Sequence, residues 1–261
     1  MHARSPLLLA LLGAGACSAP PLEAPPFAFL EPGHMGAVVK QPLGNRHDLE
    51  GVFDVGPVPD ATVPGSFNTY LVEDDAEVEG RYEVALGLRG VPASHTTLEL
   101  NVGWRLYDIA GLQPAPDPAI RFVIETVDSM QLQLALRHYL DPSTALGLDL
   151  GPRWRMFGEV GISHVPPLTV DSRLEFLTTS KPITSKGKAY RTLSLTGGLA
   201  YQWSDGVMIE GGLSWEEPLE DLLVDLSTSV DFGGGQVIDV PIEATMTPVG
   251  GLGFLAVSWW W

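Results

Sequence analysis

The sequence is short of lysine, of cysteine and of long apolar runs, and each shortage excludes something. Only Lys40, Lys181, Lys186 and Lys188 stand among fifteen basic residues in a chain of 261. A water-washed surface normally carries more of this strongly hydrated cation. Acidic residues outnumber basic ones 32 to 15, for a net charge of −17. That balance excludes nucleic acid as an electrostatic partner, and no glycine-rich phosphate loop or other nucleotide fingerprint is present. One cysteine, Cys17, excludes any disulfide within the chain. Beyond the first 16 residues no apolar run reaches the roughly 18 that a membrane-spanning helix needs. Nothing polar follows the closing stretch GLGFLAVSWWW, residues 251–261. Chain ends are normally polar and frayed, so three indoles there call for an apolar cover.

What is present begins with MHARSPLLLALLGAGACSAP. A basic start at Arg4, an apolar stretch over residues 7–12 and small residues over 13–16 form a secretory signal peptide, residues 1–16, with Ala14 and Ala16 supplying the cleavage site. Ala19 and Ala24 are each followed by proline, so cleavage after Ala16 is expected and leaves Cys17 first. The stretch AGAC resembles a bacterial lipoprotein signal, with Ala14 where that family usually has leucine. The resemblance implies acylation of Cys17. Residues 17–78 are rich in proline and glycine (APPLEAPPF, EPGHMGAVVKQPLGN, DVGPVPDATVPG) and hold no period of 2 or 3.6. They are expected to form a tether or irregular extension with a short strand near residues 52–55, or, in a sharper form, the plug of a barrel.

Residues 79–261 alternate. Val84, Leu86 and Leu88 share one face, as do Leu98, Leu100, Val102 and Trp104, then Met130, Leu132, Leu134 and Leu136, and so on to the end; Glu83, Arg89, Glu99, Arg105 and Gln133 fall between. Period two is the strand signal. Segments of about nine to thirteen residues exceed ordinary strands and suit tilted membrane strands of about 9–11. Breakers at DPST, SDG, FGGGQ and TPVG divide them. The expected fold is all-β, an antiparallel up-and-down transmembrane β-barrel of 8–12 strands.

Alternation alone does not say which face meets water. A lipocalin-like barrel holds the apolar row inside; a membrane barrel turns it to lipid. The polar row here is built of Gly87, Gly103, Gly161, Gly198 and Gly212 with single arginines and glutamates and almost no lysine, which suits a crowded lumen. Aromatics such as Trp104, Trp154, Tyr201 and Trp215 gather near segment ends, as at a lipid–water boundary. Both favour the membrane reading. The alternative is a soluble β-rich envelope lipoprotein that binds a lipid or small apolar ligand inside.

Leu255, Val257, Trp259 and Trp261 then alternate into the last residue. This resembles the C-terminal strand of bacterial outer-membrane β-barrel proteins, which end on an aromatic, usually phenylalanine. The resemblance implies a bacterial outer-membrane location, outer-membrane lipid as partner, and recognition of this strand by the barrel-assembly machinery. Trp260 falls on the other face.

Catalysis finds little support. A barrel lipid hydrolase pairs a histidine base with a serine nucleophile, but Ser143 lies across a turn from His138, and Ser163 points away from its neighbour His164. The histidines show no metal-ligand spacing. No enzyme activity, metal or cofactor is expected. The polar row carries the sharper pattern. Arg105, Arg121 and Arg137 recur sixteen residues apart, with Glu99 and Glu125 on the same strands, and Glu210, Asp225, Asp239 and Glu243 follow. These charges are expected in the lumen, as a salt-bridged core at eight strands or a narrow pore at twelve. A structural or narrow-pore role is the functional expectation.

Overall fold

In the computed structural model, the structure describes residues 19–59, 63, 65–109, 120–176, 179–231 and 237–261. The signal peptide and Cys17 lie outside the described residues. The strands are β1 (Met35–Pro59), β2 (Phe67–Ala93), β3 (Thr96–Ile109), β4 (Ile120–Leu140), β5 (Trp154–Val165), β6 (Thr169–Phe176), β7 (Thr179–Lys186), β8 (Tyr190–Ser204), β9 (Val207–Pro218), β10 (Leu222–Asp225), β11 (Thr228–Asp231), β12 (Val237–Val240) and β13 (Ile242–Trp260); a short α-helix, α1 (Pro142–Leu146), follows β4, and a 3-10 turn spans Ala28–Leu30. All pairings are antiparallel. Eight strands close a ring in the order β1–β2–β3–β4–β5–β8–β9–β13 and back to β1.

Short turns lie at one end of the ring, between β2 and β3 and between β8 and β9. This lower end corresponds to the one that faces the periplasm in membrane barrels. At the other end β1, β2, β4 and β13 run on beyond the ring. There β6 replaces β5 beside β4, β10 replaces β9 beside β13, and a single bridge between Gly187 and Val224 joins β7 to β10.

The lower ring has the expected polarity. Leu86, Leu100, Val102, Leu132, Leu134, Val160, Leu195 and Leu213 are exposed on the outer wall, Leu213 at 74%. Trp104 and Trp215 mark its upper rim; Trp154, packed on Tyr201 at 4.9 Å, and Trp259 mark the lower one. No helix among the described residues is long and apolar enough to cross a membrane. The apolar row faces out, so the lipocalin-like alternative, which needs it inside, is the less supported reading.

Three expectations are corrected. First, residues 35–59 and 67–78, expected to be irregular, belong to β1 and β2. β1 hides its period because both faces are mixed: Val38 and Lys40 face in, Ala37 and Val39 face out, and a register shift between Pro42 and Gly44 breaks the count. Second, Leu146, Leu148 and Leu150, which alternate within the span 79–261 expected to be strands, form α1 and the loop after it. Asp141 caps α1, its side chain accepting from Ser143 N at 2.8 Å, and Gly147 ends it at φ 69. Hydrogen bonds from Ser143 hold the Asp141 carboxyl below its usual range. Third, the apolar rows of the extension point inward. Phe53, Val55, Ile124, Leu168, Val170, Leu174, Leu222, Val224, Ile242 and Met246 form one buried core. The shift in β4 falls between Ile124 and Thr126. One residue of slip sends every later side chain to the opposite face.

Candidate functional site: the filled lumen

Inward-facing positions of the lower ring come from six strands and meet in a charged layer. Arg89 (β2), Arg137 (β4), Glu99 (β3) and Glu210 (β9) have side chains wholly removed from solvent; Glu159 (β5) is nearly so, and Lys40 (β1) is partly buried. Arg89 pairs with Glu99, and with Glu210 at 2.6 Å. Arg137 pairs with Glu210, and its Nε donates to Glu159 at 2.7 Å. Lys40 reaches Glu99, and Glu159 at 3.6 Å. The Tyr139 hydroxyl donates to Glu210 at 2.7 Å, and the Arg137 guanidinium lies 4.3 Å over the Phe157 ring. Higher up, Arg105 grips Glu216 with two hydrogen bonds of 2.5 and 2.7 Å. Lys40, Arg89, Arg105 and Arg137 thus face Glu99, Glu159, Glu210 and Glu216, four charges of each sign, so the described part of this layer is neutral in a chain of −17. Cations and carboxylates removed from water persist only when paired this closely.

Glycines make the room. A Cβ on Gly161 would lie 2.9 Å from Gln133 Nε2, and one on Gly198 would lie 2.7 Å from the Phe157 ring. Asn101 and Gln133 carry the network sideways at 3.1 Å, and Gln133 reaches Ser194 at 3.0 Å. Between the layer and the Arg105–Glu216 pair lies a polar chamber of about 50 Å³, lined by Lys40, Gln131, Gln133, Thr196 and Ser214 among others.

Apolar matter closes the lumen at both ends. Above stands the extension's core. Below, Phe27, Phe29 and Leu30 enter the periplasmic mouth and pack with Tyr139, Phe157, Met208, Phe254 and Trp260. The plug expected as the sharper form of the N-terminal segment exists in residues 19–34, as a cap on the mouth.

The structure brings together four of the charges expected in the lumen, Arg105, Arg137, Glu99 and Glu210. The other five sit elsewhere. Arg121 is exposed and 3.9 Å from Glu175; Glu125 is exposed beside Arg173 at 3.3 Å. Both lie at or above the β4 shift, where odd-numbered residues face out. Asp225, Asp239 and Glu243 are exposed on the extension, whose outer face is polar. Ser227 donates to Asp225 and lowers its carboxyl. Sequence reasoning missed Lys40, Arg89, Glu159 and Glu216 as network members. Arg89 and Glu159 stood on the polar row and were findable by parity; Lys40 was hidden in the segment read as a tether. His138 faces out, with Nδ1 2.9 Å from Thr96 Oγ1, and does not meet Ser143, whose hydroxyl donates to Asp141 at 2.7 Å. His164 faces out and Ser163 in. Among the described residues no group of three His, Cys, Asp or Glu is placed to hold a metal.

At the C-terminus Leu255, Val257 and Trp259 are on the outer face, while Phe254, Ala256, Ser258 and Trp260 are buried. Trp260 is the residue without an expected role, and its indole stacks on Phe29 at 5.2 Å.

No protein-family model and no curated protein matches the chain. Solved structures are similar in fold. The outer-membrane protein OprG of Pseudomonas aeruginosa is 12% identical, covering 88% of this chain and 99% of its own, with TM-score 0.44. The outer-membrane protein AlkL is 12% identical, covering 93% and 94%, with TM-score 0.39. The outer-membrane protease OmpT of Escherichia coli is 8% identical, covering 88% and 97%, with TM-score 0.32. Among its described residues the chain folds as a closed, antiparallel, eight-stranded β-barrel.

Proposed function

We propose that this protein is a non-conducting, non-catalytic barrel of the bacterial outer membrane that holds an apolar-cored β-extension on the extracellular side. The observation that carries this reading is the filled lumen: paired charges of both signs between two apolar seals, with a chamber of about 50 Å³. Ions need a continuous wet path, and eight strands leave space only for their own side chains. The strand ending Leu255, Val257, Trp259, Trp261 serves as the assembly signal. Cys17 is acylated, as the stretch AGAC that it closes implies.

Planar-bilayer recording with the purified protein tests the reading. No current above the lipid leak is expected, and reproducible unitary steps would overturn it.

A further inference from the structure

Residues 19–34 lie across the periplasmic mouth, and their anchors come from separate hairpins. Glu23 N and Ala24 N donate to the Asp205 carboxylate at 2.9 and 3.2 Å, and Phe27 N donates to Gln202 Oε1 at 2.6 Å; both acceptors sit near the β8–β9 turn. From the β2–β3 turn, His95 N donates to Leu30 O at 2.8 Å. The last strand supplies Trp260, on which Phe29 stacks. This seat is complete only once β13 has paired with β1, where Met35 and Trp261 exchange backbone hydrogen bonds of 3.1 and 2.9 Å. Among the described residues, two other than glycine have left-handed backbone, Phe27 at φ 61 and His95 at φ 58. Both belong to this contact. A bulky residue in that region is strained and stays there only where its surroundings hold it.

We propose that residues 19–34 are a strap that docks after the last strand has closed the barrel, shuts the periplasmic mouth and keeps water from the charged layer above. Directly behind Phe27 and Trp260 lie Met208, Phe157 and Tyr139, and the Tyr139 hydroxyl holds Glu210. The strained residues make the strap the first part to let go, so it opens while the ring stays paired. The inference rests on the closed-barrel reading but not on its conductance: sealed labelling with unitary currents would overturn that reading and leave the strap standing.

The test uses the full chain in native outer membranes, with Ser258→Cys as reporter and the parent chain, whose acylated Cys17 carries no thiol, as the blank. Ser258 is fully buried, and its hydroxyl accepts from Trp260 Nε1 at 3.0 Å. A membrane-impermeant maleimide should label this cysteine slowly. Adding Phe27→Asp and Phe29→Asp should speed labelling at least about tenfold while the unheated protein keeps its compact gel mobility. Equal rates would overturn the proposal, as would fast labelling with the strap intact. If the aspartate variant does not fold, Ala24→Cys with Asp205→Cys decides the matter. Oxidation should cross-link nearly every molecule, and absence of the cross-link means the strap is not docked.

Discussion

Below the level of Trp104 and Trp215 the wall turns its apolar side chains outward and pairs its charges inside. Above that level Phe53, Ile124 and Met246 point inward, while Asp225 and Glu243 face water. Strands β1, β4 and β13 run through both regions, so the difference does not belong to the strand. It belongs to what lies outside the wall. Lipid offers no drive to hide a leucine and a heavy charge on exposing an arginine, so the lower ring coheres through backbone ladders and ion pairs. Water restores the ordinary hydrophobic drive, at about 1.5–3 kcal/mol per large apolar side chain buried, and the extension is built like any soluble core.

That contrast can be broken first from the inside of the ring. Arg137→Leu leaves Glu159 and Glu210 without their main partner, and removing one member of a buried pair costs about 3–5 kcal/mol. The folded band in unboiled detergent gels should vanish at a much lower temperature than in the parent. The double variant Arg105→Leu with Glu216→Leu should sit closer to the parent than either single, since neither charge is left alone; a double worse than both singles would refute the account of the layer.

Phe53→Ala should cost a similar amount, about 3–5 kcal/mol, yet act elsewhere. Proteolysis of the extension from outside should rise sharply, while the ring's heat-modifiable shift stays. Joint loss of both would mean that the two regions are one cooperative unit. The third comparison exchanges surfaces. Leu134→Arg on the lipid face should cost about 2–4 kcal/mol, whereas Thr184→Arg, exposed on β7, should fold as the parent does in the same gel assay.

Smaller still, Arg121→Ala should change the melting of the protein by almost nothing, because an exposed pair at 3.9 Å is worth about 0–1 kcal/mol. The Asp141 cap gives the smallest effect and a pH signature. Its carboxyl is lowered in the folded chain by hydrogen bonds from Ser143, so its contribution is full above the ordinary carboxylate value and fades as pH falls through the lower folded one. Melts of Asp141→Asn and the parent should differ at neutral pH and converge in acid; a gap that widens in acid would reverse the assignment.

How much of this was legible depended on the strand. β3 and lower β4 could be read outright, because Leu98–Trp104 parity and Met130–Leu136 parity persist without a break. Arg105 and Arg137 could therefore be placed in the lumen. Arg121 has the same parity as Arg137 and the same spacing, yet the shift between Ile124 and Thr126 lies between them and turns it outward. Nothing in residues 124–126 announces that shift. Asp225 and Glu243 misled for a different reason. Their rows alternate cleanly, but alternation does not state whether lipid or water lies beyond. The strap was illegible as a contact because its partners Gln202, His95 and Trp260 are distant in the chain.

The last three residues hold one more consequence. In most strands a slip of one position is punished because it trades an apolar side chain for a polar one. With indoles at 259, 260 and 261, a slip trades indole for indole, and the ending itself cannot tell a correct frame from a wrong one. The proofreading falls to Gly36, paired with Trp260: a Cβ there would stand 2.7 Å from Trp259 O and 2.9 Å from the Trp260 ring. Shifted by one, that ring would meet Met35 or Ala37, each of which carries the missing carbon. The frame of the final strand is thus spelled by a hydrogen atom at the start of the first.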